Sequence, residues 1–390
     1  MKTEYEYIVL GCGGIGSGAA YWLARRAGAN VLGLEQFELG HVHGGSQDYS
    51  RIIRLTYHHR DYTRLTPHTY RAWSTLEEES AVKVVTKTGG IEMALKGDVY
   101  QRDVEAYAQA MDAADIPYER LGGDEIMHRY PQFKIKEEID GLWQEATGIA
   151  DAAKGNAAHV ATARYHGATI LDNCPVIAIR PFEGGVEVVS AKGTFSCRRL
   201  VLTAGAWTDQ VLADVGMNLR LTATQEQVTY YATPNLKDFA IGNFPTFVWH
   251  GEHVFYGFPV YGEVATKAAI DASGPAVTPE SRTYEADEKR EALLATWLKH
   301  YIPGFLGPKL YTKTCLYAMP RDRNFVIDTL PELPQIMICL GAGHAYKFAS
   351  LIGKILSELA IDGQTEHPIA PFTLRRAAIT DPDFEAVFHI

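Results

Sequence analysis

The sequence predicts an α/β fold combined with antiparallel β structure, in which a Rossmann-like nucleotide-binding domain is interleaved with a second, mostly antiparallel domain. Three observations indicate this arrangement. A glycine-rich turn separates a strand from a helix near the N-terminus, hairpin-like segments alternate apolar and polar residues in the middle of the chain, and a strand followed by a helix lies near its end. The 390 residues exceed what one hydrophobic core usually serves, so two domains are expected.

The N-terminal segment YEYIVLGCGGIGSGAAYWLARRAGANVLGLEQF predicts a βαβ unit, with a strand at residues 7–10, a helix at residues 15–26 and a second strand ending near Glu35. The turn matches G-x-G-x-x-G, in which glycines let a pyrophosphate approach backbone amides at the helix N-terminus. Glu35 lies 19 residues after the turn and can accept hydrogen bonds from a ribose diol. A glycine-rich turn of an unrelated α/β protein would leave Glu35 unexplained. The turn residues expected to bind a dinucleotide are Gly11, Gly13, Gly14, Ile15 and Gly16.

The nucleotide-binding domain is predicted to consist of three separate pieces. After the βαβ unit come strand-like segments and an amphipathic helix around residues 104–113. A long helix and hairpins ending in LVLTAGAW then return the chain to the first domain, and the strand IMICLGAG with the helix after it completes that domain. We expect the first domain to contain residues 1–85, 148–220 and 315–390, and the second domain to contain residues 86–147 and 221–314.

The overall charge argues against nucleic acid and anionic membranes as partners. The chain has 47 acidic and 37 basic residues, a formal net charge of −10, and no local basic patch. It has no apolar run long enough to cross a membrane, and its N-terminus enters a strand without the features of a signal peptide. We therefore expect a cytoplasmic protein with neither a nucleic acid nor a membrane partner.

The five cysteines have wide, irregular spacing that predicts neither a disulfide framework nor a zinc site, so no metal site is expected. Cys315 lies just before a proline-marked turn and an apolar run, in the segment KTCLYAMPRDRNFVIDTLP. The other four cysteines are expected to be small buried hydrophobic residues. These four are Cys12, Cys174, Cys197 and Cys339.

The order of the segments favours FAD over NAD, because simple NAD domains continue directly with further parallel strands and helices. A hairpin-rich stretch ending in TAGAW and a closing strand, glycine turn and helix are typical of flavoproteins. The segments GCGGIGSGAAYWLA, SRIIR, VLTAGAWTD, FYGFPVYG, TCLYAMPRDRNFVIDTLP and GAGHAYKFASLIGKIL together resemble the monomeric sarcosine oxidase family of FAD-dependent amine oxidases. This family includes N-methyltryptophan oxidase, pipecolate oxidase and the nikkomycin-pathway amino acid oxidase, and the resemblance covers essentially the whole chain.

The resemblance implies that an FAD-binding Rossmann-like domain is interleaved with a substrate domain. It implies that FAD is bound covalently, with its 8α carbon joined to the sulfur of Cys315, because the family attaches its flavin at the matching cysteine. A held thiolate can capture the electrophilic methyl group of the oxidised flavin. The alternative for Cys315 is a small buried hydrophobic residue. The other cofactor contacts that the resemblance implies are at Ser50, Val176, Gly343, His344 and Lys347.

The resemblance also implies roles for charged residues. Arg54 and Lys347 are expected to bind the substrate carboxylate, Arg51 to lie near the flavin, and Lys267 to promote oxygen reduction beside the flavin ring. Tyr256 is expected to line the substrate pocket. Arg51 and Arg54 lie three residues apart, so a helix or tight turn would bring both guanidinium groups to one face.

Each of these residues has a simpler interpretation from the sequence alone. Arg51 and Arg54 are as often surface charges as ligands, Lys267 can be a strand residue facing water, and Tyr256 can be a core aromatic.

Three departures from the family bear on the substrate. The sarcosine oxidases carry histidines where this chain has Gln47 and Asp271, and an apolar residue where it has Glu92. Two carboxylates beside a flavin favour a cationic or hydrogen-bond-donating substrate nitrogen, and one of them can stay protonated. The arrangement resembles the nikkomycin-pathway enzyme more than an enzyme for sarcosine. The alternative is that Asp271 and Glu92 are solvated charges at strand edges.

The resemblance implies an oxidase that removes a hydride equivalent from the carbon next to the nitrogen of a secondary or cyclic amino acid, such as sarcosine, an N-methyl amino acid or pipecolate. The product is an imine, and O2 becomes hydrogen peroxide. The expected partners are the small amino acid and O2, and the expected state is a monomer. Two alternatives remain open: a dehydrogenase of the same fold that passes electrons to a quinone or protein acceptor, and a flavin-binding protein without turnover.

Overall fold

The computed structural model describes residues 2–388, which contain ten α-helices and twenty β-strands. The helices are α1 (Gly14–Ala27), α2 (Arg60–Thr63), α3 (Thr66–Ser80), α4 (Gln101–Asp112), α5 (Gly123–Arg129), α6 (Ala152–Tyr165), α7 (Thr208–Leu212), α8 (Glu288–Tyr301), α9 (Ala349–Asp362) and α10 (Ala377–Thr380). The strands are β1 (Glu4–Leu10), β2 (Val31–Leu34), β3 (Arg51–Ile53), β4 (Val85–Lys87), β5 (Gly90–Leu95), β6 (Glu119–Leu121), β7 (Ile139–Gln144), β8 (Gly148–Ala150), β9 (Thr169–Leu171), β10 (Val176–Phe182), β11 (Gly185–Ser190), β12 (Gly193–Leu202), β13 (Thr222–Tyr231), β14 (Thr246–His250), β15 (Phe255–Phe258), β16 (Thr266–Ile270), β17 (Ala276–Val277), β18 (Lys309–Met319), β19 (Val326–Leu330) and β20 (Leu333–Leu340).

The first large sheet has eight strands and carries the predicted βαβ unit. Its centre is parallel, because β1 pairs with β2 on one side and β12 on the other, while β9 and β20 extend the parallel part. Central parallel strands are covered on both faces, and Ile8 and Val9 of β1 are accordingly fully buried in two different core clusters. Helices α1, α6 and α9 pack together in the cluster that contains Val9. The predicted α/β nucleotide-binding arrangement is confirmed.

The second large sheet has nine strands and is mostly antiparallel. Strands β13, β14, β15, β16 and β18 pair antiparallel with their neighbours, and β14 pairs parallel with β5. Its core is aromatic: Phe247 and Trp297 stack, with ring centroids 5.7 Å apart. A separate three-stranded sheet of β3, β8 and β4 carries Arg51. The mixed α/β and antiparallel fold class predicted from the sequence is therefore confirmed.

The two large sheets draw their strands from different parts of the chain. The first sheet uses strands within residues 4–34, 169–202 and 326–340, and the second uses strands within 90–144 and 222–319. Strand β18 runs without interruption across residue 315, where the sequence predicted a domain boundary, and it pairs with β13 as far as Met319. The predicted domain division itself stays a prediction.

The helices of the sequence analysis lie close to the observed ones. The helix predicted at residues 15–26 is α1, that at 104–113 is α4, and the segment after the last strand forms a short 3₁₀ turn (Tyr346–Phe348) before α9. Arg51 and Arg54 do not lie on the helix or tight turn that would bring both guanidinium groups to one face, because Arg51 begins strand β3 and Arg54 directly follows that strand. Backbone pairing with β8 extends this segment.

Four of the cysteines are buried as expected, with exposed fractions of 5% or less. They are Cys12, Cys174, Cys197 and Cys339. Cys315 is only partly buried and lies on β18. No helix within residues 2–388 combines the length and apolar character that crossing a bilayer requires.

Candidate active site

A cavity of about 490 Å³ is lined by residues of both large sheets. One part of its wall is the glycine turn between β1 and α1, and another part is formed by charged and aromatic side chains of the second sheet and the loops near it. Fourteen of the predicted site residues line this cavity. They are Gly11, Gly13, Gly14, Ile15, Glu35, Ser50, Arg51, Arg54, Val176, Tyr256, Asp271, Gly343, His344 and Lys347.

The glycine turn has the backbone geometry that close approach of a pyrophosphate requires. Gly11 has φ +86°, a conformation that residues with a Cβ rarely adopt. A Cβ on Gly16 would lie 1.8 Å from the carbonyl oxygen of Gly11, so only glycine allows the turn to close onto α1. The turn therefore presents the N-terminus of α1 to the cavity. Gly16 itself does not line the cavity.

Glu35 is positioned at the end of β2, where it is 4% exposed. Its carboxylate accepts hydrogen bonds from the backbone N–H groups of Cys12 at 2.8 Å and Phe37 at 3.1 Å. These bonds hold the carboxylate beside the glycine turn, in the wall of the cavity. A buried acid next to a pyrophosphate-binding turn fits the ribose of a dinucleotide. The residues present at this end therefore fit FAD.

Arg51 holds the loop that precedes it. Its guanidinium donates to the backbone carbonyls of Ser50 at 2.9 Å, Gly45 at 3.1 Å and Gln47 at 2.5 Å. The side-chain amide of Gln47 donates to the carbonyl of Thr314 at 2.6 Å and lies outside the residues that line the cavity. Arg51 thus fixes the loop of residues 45–50 against the cavity, and neither Arg51 nor Gln47 is a surface charge or surface amide.

Lys267 lies behind the cavity wall and is 3% exposed, so the interpretation of a strand residue facing water is wrong. Its ammonium is 2.7 Å from the carboxylate of Asp48 and donates to the carbonyl and the hydroxyl of Ser50, each at 2.9 Å. Burial lowers the pKa of Lys267 to about 8, although Asp48 opposes this shift. Ser50 lies between Lys267 and the cavity.

Cys315 lies directly opposite Glu226 in the pairing of β18 with β13. Burial raises the pKa of its thiol to about 11, while the positive charges of Arg51, Arg282 and Lys267 act in the opposite direction. Its neighbour Leu316 lines the cavity, whereas Cys315 is not among the lining residues.

Arg54 is engaged in a buried polar cluster. It forms an ion pair with Glu92 and donates to the hydroxyl of Tyr107 at 3.0 Å, and its Nε has no partner. Glu92 also bonds the ring of His250 at 3.0 Å. Burial alone would raise the pKa of Glu92, but the charge of Arg54 and the hydrogen bond with His250 outweigh burial. The pKa of Glu92 is therefore lower than its usual value. At 4% exposure Glu92 is not a solvated charge at a strand edge, and it lies behind Arg54 outside the cavity lining.

Lys347 lines the cavity beside Arg54 and is 8% exposed. Its ammonium donates to the carbonyl of His344 at 3.1 Å and to the hydroxyl of Tyr57 at 3.4 Å. No carboxylate of the described residues forms an ion pair with it. Burial and the nearby charge of Arg54 lower its pKa well below the usual value. A bound anion would offset both effects on the pKa of Lys347, because a nearby negative charge favours the ammonium.

Asp271 lines the cavity after strand β16 and is 22% exposed. It pairs with Arg323 at 2.7 Å and accepts from the hydroxyl of Tyr317 at 3.3 Å. Burial opposes ionisation, but the charge of Arg323 outweighs it and lowers the pKa of Asp271. Asp271 is therefore an ionised group of the cavity wall and not a solvated strand-edge charge. Tyr256 lies in the same wall.

The structure thus brings most of the predicted site residues to one cavity and sets five of them outside its lining. These five are Gly16, Gln47, Glu92, Lys267 and Cys315. The sequence analysis missed several residues that complete the site. They are Asp48, Tyr57, Tyr107, His250, Arg282, Tyr317 and Arg323. Asp48 could have been found from the sequence, because it is a carboxylate in the segment GGSQDYSR, between a glycine pair and Arg51. The other six residues have no local signal in the sequence.

A family model described as FAD dependent oxidoreductase matches residues 6–359. The monomeric sarcosine oxidase of Streptomyces avermitilis is 32% identical over 388 residues, which cover 97% of this chain and 99% of that protein. The N-methyl-L-tryptophan oxidase of Yersinia pestis is 28% identical over 381 residues, covering 96% and 99%.

Solved structures share the fold over the same extent. NikD, described as an unusual amino acid oxidase essential for nikkomycin biosynthesis, is 25% identical with a TM-score of 0.84, covering 95% of this chain and 98% of that chain. L-proline dehydrogenase from P. horikoshii is 21% identical with a TM-score of 0.83, covering 96% and 97%. The resemblance read from the sequence is confirmed: this chain belongs to the FAD dependent oxidoreductase family and is an FAD-dependent oxidoreductase related to the monomeric sarcosine oxidases.

Proposed function

We propose that this protein oxidises the C–N bond of a secondary or cyclic amino acid to an imine and reduces O2 to hydrogen peroxide. One observation carries the proposal: the cavity that begins at the glycine turn also contains Arg54, Lys347 and Asp271. It can therefore hold a dinucleotide and, beside it, a small molecule with a carboxylate. When bound, FAD supplies the acceptor that takes a hydride equivalent and passes the electrons to O2.

The ammonium of Lys347, which forms no ion pair within the described residues, supports a substrate with a carboxylate. Arg54 is balanced by Glu92 and Arg323 by Asp271, whereas Lys347 has no acidic partner among the described residues. A carboxylate at Lys347 would restore its charged form, because a nearby anion favours the ammonium. We therefore assign the principal carboxylate contact to Lys347, with Arg54 beside it.

The amino group is proposed to lie toward Asp271 and Tyr256. Asp271 is held ionised by Arg323, so it can accept a hydrogen bond from a substrate N–H and orient it. Burial raises the pKa of Tyr256 above its usual value, so its phenol stays protonated and can donate. No strong base is needed, because the amine can react in its neutral form. The named relatives act on sarcosine and N-methyl-L-tryptophan, which supports a secondary amine.

FAD is proposed to be joined covalently to Cys315. Support comes from the cysteine position that the resemblance implies, from Tyr317, which lies on the same face of β18 as Cys315 and lines the cavity, and from three cations that favour the thiolate. We also propose a cytoplasmic, monomeric protein, and the relatives described as monomeric support the monomer.

The test begins with acid precipitation of the purified yellow protein, alongside Cys315→Ala. Colour that stays in the native pellet and leaves the variant pellet supports the covalent link. A panel of secondary and cyclic amino acids is then added without oxygen, and O2 is admitted after the flavin absorbance has bleached. Bleaching followed by one equivalent of peroxide is expected. Bleaching that persists in O2 and is reversed by a quinone would replace the oxidase with a dehydrogenase.

A further inference from the structure

Arg282 is a buried arginine that forms no ion pair with an acidic residue within 2–388. It is 6% exposed, and its guanidinium donates only to neutral groups: the carbonyl and hydroxyl of Thr314 at 2.6 and 2.9 Å, and the carbonyls of His43 at 2.7 Å and Val42 at 3.3 Å. Its Nε has no partner. No carboxylate within residues 2–388 pairs with it. A buried charge without a counterion is destabilising, so an arginine here calls for an anion nearby.

The segment that carries Arg282 is held in place by the strand next to Cys315. Residues 278–287 connect β17 to α8, and two glutamines of β13 bind them. The side chain of Gln225 accepts from the N–H groups of Thr283 and Tyr284 at 3.1 and 3.2 Å. The side chain of Gln227 accepts from the N–H of Asp287 at 2.7 Å. Arg282 is therefore positioned by uncharged contacts that do not depend on its own charge.

The groups that Arg282 contacts lie on the strand that carries Cys315 and on the loop beside it. Thr314 precedes Cys315 on β18, and the segment Val42–His43 leads into Gly44 and Gly45, which line the cavity. The backbone N–H of Leu316 donates to the carbonyl of Gly44 at 3.3 Å. One guanidinium thus fixes the strand that carries the cysteine against the loop that forms the cavity wall.

The electrostatic surroundings of Cys315 make this charge relevant to the thiol. Burial and Glu226, opposite on β13, favour the neutral thiol, whereas the cations favour the thiolate. The charged and titratable groups facing Cys315 are Arg51, Arg282, Lys267, Glu226, Tyr256 and Tyr317. Among the three cations, Lys267 and Arg51 already have Asp48 as an anionic neighbour. Arg282 has none.

We propose that Arg282 is a positioning residue for the attachment of FAD to Cys315, holding the cysteine at the cavity and favouring its thiolate. The proposal rests on the proposed covalent link. In that step the thiol loses its proton, the sulfur bonds the 8α carbon, and that carbon loses a proton. Two electrons remain on the flavin until O2 accepts them with two protons and becomes hydrogen peroxide. Arg282 takes no electrons and no proton, and it acts only through the charge and position of Cys315.

The experiment measures attachment and not turnover. Flavin-free full-length chain is mixed with FAD in air between pH 6 and 9, and the flavin retained in acid-precipitated protein is followed over time. The variants are Arg282→Met and Arg282→Lys, with Lys309→Met as a matched control that removes a half-exposed cation of the same strand β18, one that pairs with Glu291. Cys315→Ala defines zero attachment.

The native rate is expected to rise with pH as the thiolate forms. In Arg282→Met the thiolate is rarer at every pH of this range, so attachment should be about ten-fold slower at each pH. Arg282→Lys keeps the charge and should attach FAD faster than Arg282→Met at each pH, and Lys309→Met should attach FAD at the native rate. If Arg282→Met does not fold, the Arg282→Lys rate decides: attachment about ten-fold slower than native at each pH, although the charge is retained, contradicts the charge role.

Two failures can be told apart. Native protein that retains no flavin after acid treatment would overturn the covalent link, and the role of Arg282 with it. Native protein that retains its flavin, together with Arg282 variants that attach FAD at the native rate and pH, would overturn the role of Arg282 alone.

Discussion

The ammonium of Lys267 lies 2.7 Å from the carboxylate of Asp48, and the two side chains are 4% and 3% exposed. Lys267 also donates to the carbonyl and hydroxyl of Ser50, which lines the cavity. The positive charge is therefore fixed behind the cavity wall by three acceptors and cannot rotate into solvent. A charge held in this way can stabilise an anion that forms in the cavity without reorganising.

Replacing Lys267 with methionine should slow the reaction with oxygen. Superoxide carries a negative charge as it forms, and loss of one fixed stabilising group typically costs about 10²-fold in rate. Stopped-flow mixing of reduced enzyme with O2 measures this step, and anaerobic mixing with substrate measures flavin reduction. We expect the rate of reaction with O2 to fall by about 10²-fold. The rate of flavin reduction should change less than about three-fold, because Lys267 does not line the cavity.

Lys313→Met is the matched control. Lys313 also contacts Asp48, at 2.9 Å, but its side chain is 33% exposed and its charge is screened by solvent. The variant should react with O2 at the native rate. Equal slowing of both variants would show that the geometry of Asp48 matters and not the charge of Lys267.

The reaction with oxygen should also depend on pH. Burial lowers the pKa of Lys267 to about 8, and Asp48 stays ionised because its own pKa is held below the usual value. The charge of Lys267 is therefore present below about pH 8 and is lost as pH rises through this value. The rate of flavin reoxidation should fall with that midpoint. In Lys267→Arg the profile should be flat, because arginine stays charged across this range.

The sequence predicted the βαβ unit well because its signals are local. Strand β1 contains the predicted residues 7–10, α1 extends the predicted helix by one residue at each end, and Glu35 directly follows β2. Glycine spacing and apolar periodicity encode these features within 35 residues. The cysteine and arginine motifs were found in the same way, through short matches to a family.

The remainder of the site depends on contacts that a local pattern cannot encode. Asp48 forms ion pairs with Lys267 and Lys313, which lie more than 200 residues further along the chain. Arg54 was expected to be free for a carboxylate, yet Glu92 reaches it from a different sheet. The extended backbone at Arg51 follows from pairing with β8, almost 100 residues away. Tertiary pairing overrode the local preference in each case.

Lys347→Met should weaken binding of the substrate carboxylate. Lys347 lines the cavity without an acidic partner in the described chain, and a hydrogen bond to a charged group contributes about 1.5–3 kcal/mol, or about 10- to 100-fold in affinity. Titration with an unreactive carboxylate, followed by the flavin absorbance, measures the dissociation constant directly. Tyr57→Phe, which removes a hydroxyl that accepts from Lys347, should weaken binding less than about three-fold. Similar affinities in Lys347→Met and native protein would indicate that Arg54, and not Lys347, binds the carboxylate.

Glu92→Leu should destabilise the protein and, at the same time, release Arg54. Glu92 and Arg54 are 5% and 12% exposed, and removing one partner of a buried ion pair costs about 3–5 kcal/mol. A carboxylate ligand can then pair with the released guanidinium. Chemical denaturation should show the lower free energy of unfolding, and the same ligand should raise the melting temperature more in Glu92→Leu than in native protein. A smaller rise in the variant would contradict the release of Arg54.

The stability difference between native protein and Glu92→Leu should also shrink in acid. Burial opposes ionisation of Glu92, but Arg54 and His250 outweigh it, so its pKa in the folded protein is lower than the value of about 4.3 in the unfolded chain. Such a group stabilises the fold fully above the unfolded value and loses that contribution as pH falls through the folded value. Denaturation midpoints of both proteins should therefore converge below about pH 4. Glu92→Gln keeps the shape but not the charge, so its difference from Glu92→Leu should not change with pH.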